Sequence, residues 1–356
     1  MHISGVEARQ RLESLEFLRG FASLAVCWFH LTRFHYNTPD QRLFALVRQT
    51  GEYGWLGVEV FFVISGFVIP YSLYRARYRI RDFFRYLARR IVRLDPPYLA
   101  AIAIVLVLAY LSSLKSGRPV EVEGKPVESL RVLLHLGYLN IFFPRYEWLS
   151  PTFWTLAIEM QYYILMGLVF PLVVARNQAV RLATIGVMAA TSVLTAKASG
   201  TLFPTAAPYS FFIPGLLCLF LLGILTFQFR VGLIRVAEYL PAMLAVAATS
   251  IVTLGLAPGL TGLGTVAVIL ANPARPSILS GFFARISYSL YLIHWPIGHH
   301  TLSVVGMKYL KAESNGARIF VLLFSLAVCL ASAWFLYILV ERPALRWSKR
   351  FRYGGR

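Results

Sequence analysis

Ten apolar stretches leave this chain few ways to fold. Crossing ~30 Å of hydrocarbon takes about 20 residues in a helix. The stretches run 17–34, 55–74, 96–114, 152–175, 182–196, 208–229, 236–256, 260–272, 282–302 and 319–340, the fifth and eighth being the shortest. The expected fold is therefore an all-α integral membrane bundle of about ten transmembrane helices. Segment 130–143 is also apolar but carries Arg131 and His135; a re-entrant or interfacial segment is the alternative there, and it would change the count.

Composition supports the bilayer as solvent. Charged residues make up 14% of the chain and hydrophobic ones 58%, whereas a soluble domain carries about 25% charged residues. No long polar stretch separates the apolar windows, so residues 1–356 are expected to form a single membrane domain with no separate soluble one. The three cysteines, Cys27, Cys218 and Cys329, all lie inside apolar windows and have no metal-ligand spacing. They read as small buried residues, and no metal site is expected. The charged N-terminal segment, with Glu7, Arg9, Arg11, Glu13 and Glu16, does not resemble a cleaved leader. The first helix is expected to stay in the mature protein.

A net charge of +19 raises the question of nucleic acid. The distribution answers it. With the N-terminus inside and loops assigned alternately, the inner side receives 23 of the 35 Lys and Arg and 7 of the 16 Asp and Glu. Such asymmetry orients membrane proteins, so both termini are expected in the cytoplasm and no nucleic-acid partner is expected. The densest block is Arg75, Arg77, Arg79, Arg81, Arg85, Arg89, Arg90 and Arg93. Topology and anionic lipid account for most of it. They do not account for Arg90 and Arg93, one turn apart on one face, immediately before Leu94-Asp95-Pro96-Pro97. The paired prolines are expected to re-aim the chain into the third span.

Several ionisable groups sit within the apolar windows, where they are costly and usually functional. Arg19 and His30 are eleven positions apart, three helical turns, and so share a face about 16 Å apart along the axis. They read as a polar lining or, alternatively, as a snorkelling arginine and a packed histidine. The second window holds Glu59 and Ser65-Gly66. Glu59 is expected to face the protein interior, and the Ser-Gly pair to permit close helix packing. The fourth holds Trp154 and Glu159, the latter about two turns in. Glu159 and His30 both lie at intermediate depth. They read as a general-base pair, the carboxylate orienting the imidazole, or as a structural polar core. Tyr288, Tyr291 and His294 follow at one-turn spacing, suited to core hydrogen bonds or to ligand contact. Glu341-Arg342 reads as a structural salt bridge. Phosphate-loop, dinucleotide, zinc-protease and nucleophile-elbow motifs are absent.

Taken in order, these segments resemble the acyltransferase 3 family along the whole chain. They are Leu18-Arg19-Gly20 to His30, Gly57-Val58-Glu59 through Phe61-Phe62 to Ser65-Gly66-Phe67, and Arg89-Arg90 to Arg93-Leu94. Trp154 to Glu159-Met160-Gln161-Tyr162-Tyr163, Ile286 to Tyr291 with His294-Trp295-Pro296, and Glu341-Arg342-Pro343 complete the set. The resemblance implies a multi-pass protein of the bacterial inner membrane. It implies transfer of an acyl group, acetyl by default, from cytoplasmic acyl-CoA to a hydroxyl of a carbohydrate or glycolipid, a cell-surface or exported polysaccharide among them. Acyl-CoA, acetyl-CoA by default, is then a co-substrate, and no bound cofactor is expected. By the same likeness His30 is catalytic, Arg19 is its partner in the first helix, and Arg90 and Arg93 are the donor-side arginine pair. Glu159 is the catalytic partner expected from its depth, and Arg19 joins Arg90 and Arg93 as an expected acyl-CoA-binding residue. Glu59, Ser65, Trp154, Tyr291 and His294 are candidate pocket residues. Two departures stand out: Glu59 where many relatives have Asp, and Met160 where a second acidic residue is common. No acyl relay through a fused domain after the last helix is expected.

Physical chemistry agrees with that expectation. Guanidinium groups suit the phosphates of acyl-CoA, and a histidine at depth suits removal of a hydroxyl proton. A membrane carrier or flippase for a sugar or lipid is the alternative from another class, since many helices and buried charge fit it too. A non-catalytic scaffold is the third.

Overall fold

The structure is a computed structural model that describes residues 5–33, 42–143, 145–198, 213–272, 277–309 and 314–354. Thirteen helices succeed one another in it. They are α1 (Gly5–Thr32), α2 (Arg42–Gly51), α3 (Gly57–Arg75), α4 (Phe83–Ser116), α5 (Ser129–Leu136), α6 (Trp154–Val173) and α7 (Gln178–Ala198). Then come α8 (Ile213–Arg230), α9 (Val236–Leu254), α10 (Leu256–Ala271), α11 (Ile278–Thr301), α12 (Asn315–Leu336) and α13 (Arg342–Ser348). A ribbon of two short strands, β1 (Glu121–Val122) and β2 (Lys125–Pro126), is the one sheet among the described residues.

In its described residues each of the ten apolar windows falls on a helix; residue 34 of the first and 208–212 of the sixth lie outside the described residues. Seven helices among the described residues are long and apolar enough to cross a membrane. The other three windows fall short for identifiable reasons. α10 has 16 residues. α1 and α11 are long, at 28 and 24 residues, but they carry Arg19 and His30, and Arg285, His294, His299 and His300. The helices that dilute their own hydropathy are thus two that reach the candidate site.

One expectation is corrected, and segment 130–143, left open by the sequence, takes a definite form. The third span does not begin at the prolines: α4 runs unbroken for 34 residues through Pro96 and Pro97. At 1.5 Å per residue it is about 51 Å long, well beyond the hydrocarbon thickness. Its first turns, with Arg85 and Arg89, therefore project past the apolar layer as an extension of the same rod. Segment 130–143 forms the eight-residue α5 and a 3-10 turn at Leu139–Phe142. Eight residues make about 12 Å, too short to span.

The bundle is built around α8, of which 83% is buried. A helix that is apolar all round belongs in the centre of a bundle. It crosses α3 backbone to backbone. A Cβ on Gly66 would stand 2.1 Å from the Phe220 carbonyl oxygen, and one on Gly223 would stand 2.2 Å from that of Val63. Small residues at such a crossing let van der Waals packing replace the hydrophobic drive that lipid does not supply. The Ser65-Gly66 pair thus marks close packing, as its sequence suggested. On the other flank α1 lies along α11, with α12 behind. That pairing sets His30 next to His294 and Trp295.

Candidate active site

Five helices enclose an inner cavity of about 90 Å³. α1 contributes Arg19, α3 contributes Ser65, α4 contributes Arg90 and Arg93, α6 contributes Thr155, Glu159 and Tyr163, and α11 contributes Ser287, Tyr288 and Tyr291. Three guanidinium groups thus face one carboxylate. Glu159 accepts a short hydrogen bond from the Tyr163 hydroxyl and a long one, 3.5 Å, from Ser65 Oγ. Arg90 is 6% exposed. It donates to Ser72 Oγ at 2.9 Å and lies over the rings of Tyr86 and Tyr163, at 5.4 and 5.3 Å. Arg90 is thereby held by the protein, whereas Arg19 and Arg93 are half-buried on the wall. The cavity's cationic excess comes from side chains on two helices far apart in sequence, α1 and α4.

A second cavity lies further along α1, away from Arg19, Arg90 and Arg93. Phe29, His30, Arg33, Trp55, Thr152 and Trp154 line it, together with Val26, Val58, Pro151 and Tyr291. Val58 and Tyr291 belong to both cavities. At that junction the Tyr291 hydroxyl is hydrogen-bonded to Thr155 Oγ1 at 2.8 Å. The Arg19–His30 spacing therefore places one residue in each cavity, as expected of a shared face, and α1 runs past both.

The expected Glu159–His30 pair is not formed. Glu159 is engaged by Tyr163 and Ser65 and lines the inner cavity. His30 lines the outer one, with its ring centroid 5.2 Å from His294 and 5.0 Å from Trp295. Glu159 points toward the arginines, and His30 stands in the other cavity. His294 and Glu59 line neither cavity. His294 is fully buried behind His30, and its Nδ1–H donates to the Leu290 carbonyl at 3.0 Å. Glu59 is buried in the first turn of α3. Ser65, Trp154 and Tyr291 do stand on cavity walls.

The sequence reading missed Thr155, Thr152, Trp55 and Arg33. Hydroxyl and aromatic residues are common in membrane helices, and nothing in their spacing sets these apart. It also misjudged Glu341, which turns inward from a π-helical stretch, Tyr337–Glu341. There it accepts from Ser289 Oγ at 2.6 Å, within electrostatic reach of Arg19 and Arg93.

One wall of the outer cavity, Pro151 and Thr152, is the end of the long connection between α4 and α6. Two buried residues of α5 hold that connection. The Arg131 guanidinium donates to the carbonyl oxygens of Val122, Lys125, Pro126, Glu147 and Trp148 at 2.9–3.3 Å. His135 donates from Nδ1 to the Arg131 carbonyl at 2.7 Å, and its Nε2 accepts the Leu149 N–H at 2.9 Å. The acceptor role fixes a neutral imidazole. Burial pushes it down to about 4.

These features can be set beside known proteins. A family model described as an acyltransferase domain, that of the acyltransferase 3 family, matches residues 12–338. The acyltransferase MdmB of Streptomyces mycarofaciens is 26% identical over 96% of this chain and 94% of its own length. The O-acetyltransferase OatA of Staphylococcus aureus (strain NCTC 8325 / PS 47) is 29% identical over 46% of this chain and 24% of its own length. No solved structure matches. The family match takes in most of α1, both cavities and all of α12, and this chain belongs to the acyltransferase 3 family of multi-pass membrane acyltransferases.

Proposed function

We propose that the protein is an O-acyltransferase that uses acyl-CoA, acetyl-CoA first among candidates, and esterifies a hydroxyl of a carbohydrate or glycolipid. The observation that carries this reading is the pair of cavities joined at Tyr291 and Val58. One is cationic, lined by Arg19, Arg90 and Arg93; the other is aromatic and holds His30. The printed names of the relatives, an acyltransferase and an O-acetyltransferase, support the reaction class. Trp55, Trp154 and Phe29 offer apolar faces to a sugar ring, with Thr152 and Arg33 as polar partners.

The chemistry runs as follows in this reading. The acyl thioester lies in the inner cavity with its carbonyl at the junction, and the acceptor hydroxyl lies beside His30. The neutral imidazole takes the hydroxyl proton as the oxygen attacks the thioester carbon. Negative charge developing on the carbonyl oxygen meets the Tyr291 and Thr155 hydroxyls, which turn from each other to donate. The carbon–sulfur bond then breaks, and the proton passes from His30 to the departing thiolate. The products are the ester and free CoA thiol. Arg19, Arg90, Arg93 and Glu159 belong to the donor side. The proposed orientation puts this side in the cytoplasm and the acceptor on the far face of a bacterial inner membrane.

His30→Gln tests the reading. The amide keeps some hydrogen bonding but takes up no proton at neutral pH. Acyl transfer by the purified variant is expected to fall ~10²–10⁴-fold, the usual loss for a general base, with thermal stability kept. Near-normal turnover in that variant would overturn the assignment.

A further inference from the structure

Beyond the inner cavity, the same end of the molecule carries an open basin lined by Arg79, Arg81, Asp82, Phe84, Arg85 and Gly354. On the acyl-CoA reading above, we propose that this basin seats the phosphate-bearing nucleotide end of the donor, while Arg19, Arg90 and Arg93 attend its thioester end.

Four observations lead there. First, the inner cavity is narrow. A water needs ~10–15 Å³ of such space, so 90 Å³ holds roughly six to nine waters. That suits a slender thioester arm and excludes a nucleotide. Arg90, buried and already donating to Ser72, is a poor seat for a group with several negative charges that must lose water to reach it.

Second, the basin's cations are free for a ligand. Among the described residues the guanidinium groups of Arg79, Arg81 and Arg85 make no hydrogen bond or ion pair. Asp82, the one acidic wall residue, does not answer them. Its Oδ2 accepts the backbone N–H of Arg79 at 3.4 Å and of Gly354 at 3.3 Å, and the residue is 7% exposed. Guanidinium forks match phosphate oxygens, and such charge-assisted bonds are stronger than neutral ones.

Third, the basin and the inner cavity are strung on one rod. Arg85, Arg89 and Arg93 follow one another at four-residue steps along α4, and eight residues separate the ends of that ridge by about 12 Å. A donor with its phosphates on Arg85 and its thioester past Arg93 lies along this ridge. Fourth, the C-terminal segment closes the basin's side: Tyr353 packs against Tyr78, Tyr86 and Arg89, and Gly354 caps Asp82. The sequence reading assigned the block, Arg90 and Arg93 excepted, to topology and lipid. The structure separates three of its arginines into a concave, unanswered group.

An anionic phospholipid headgroup offers the same phosphate chemistry, and the test must separate the two. The double variant Arg81→Gln/Arg85→Gln is compared with wild type, purified in detergent, using acetyl-CoA and S-acetylpantetheine. The second donor has the same thioester without the nucleotide. Expected is a KM for acetyl-CoA raised about tenfold or more, the worth of one good charge-assisted contact, with kcat within about twofold. KM for S-acetylpantetheine should not move, so that the two donors converge. Activity on the truncated donor also reports that the variant is folded. Arg81→Lys/Arg85→Lys, which keeps charge and loses the fork, should fall between. A double variant that retains the wild-type preference for acetyl-CoA overturns the basin assignment while leaving the acyl-CoA reading intact. Wild-type protein that uses neither donor overturns both. The assay is repeated with phosphatidylglycerol added: an effect of the substitutions that appears only with the lipid would assign the basin to a headgroup and overturn the nucleotide assignment.

Discussion

Acidification should loosen the outer cavity through His135. This imidazole is 0% exposed and is held neutral between the Arg131 carbonyl and the Leu149 N–H. Burial is the largest cause of its lowered value, the Arg131 carbonyl opposes it, and the nearby Arg131 charge adds to it. In the unfolded chain a histidine titrates near 6.5; here it titrates at about 4. The contribution to stability is therefore whole above pH 6.5. It declines as pH falls, because the unfolded state takes up a proton that the folded state refuses, and it is gone below about 4. At 1.36 kcal/mol per unit, the window is worth about 3 kcal/mol. The assay is thermal unfolding in detergent from pH 8 to pH 4, for wild type and His135→Gln. Carboxylates and other histidines titrate in both proteins, so the difference between the two curves isolates His135. Wild type should be the more stable at pH 7, with the gap closing by about 3 kcal/mol between pH 6.5 and 4. Parallel curves across that window would refute the argument. Because Leu149 leads into Pro151 and Thr152, acceptor KM should rise over the same range in wild type.

Three further outcomes are expected. Gly66→Ala and Gly223→Ala each drive a methyl into a carbonyl of the facing helix; each should cost ~1–3 kcal/mol, and unchanged melting in both would refute the close crossing. Tyr291→Phe removes the hydroxyl at the junction and should lower kcat by about 10²-fold, the lower figure for an oxyanion donor, with little change in either KM; normal kcat would remove Tyr291 from the chemistry. Glu159→Gln should change donor KM and leave the pH profile of turnover alone, since Glu159 faces the arginines and not His30; a shifted profile would restore the pair that the structure separates.

Hydropathy made the helices legible because lipid imposes length and apolarity on each span. It also located the polar exceptions, since an ionisable residue is conspicuous against leucines. Thus Arg19, Arg90, Arg93, Glu159 and Ser65 were all picked out, and all line one cavity. Their pairing was not legible. A sequence gives depth along each helix but neither the rotation of α6 nor its axial offset from α1, and these decide that Glu159 meets Ser65 and Tyr163. Pro96-Pro97 misled for a related reason. Two prolines remove the amides that would bond the Val92 and Arg93 carbonyls, yet the helix continues through them inside the bundle, where α11 packs alongside with the Tyr288 hydroxyl on the nearby Leu94 carbonyl at 2.9 Å. Glu341 was hidden by the π-helical stretch before it, which changes the face a residue presents without any mark in composition.

Transfer of label tests the account most directly. Membranes containing the protein are supplied with acyl-CoA labelled in its acyl group, alongside membranes containing His30→Gln at equal abundance. The wild-type membranes should carry the label as an ester on glycan or glycolipid and release free CoA thiol, and the variant membranes should do neither. Equal ester label in both, or transport of an intact unlabelled sugar or lipid with no demand for acyl-CoA, would contradict it.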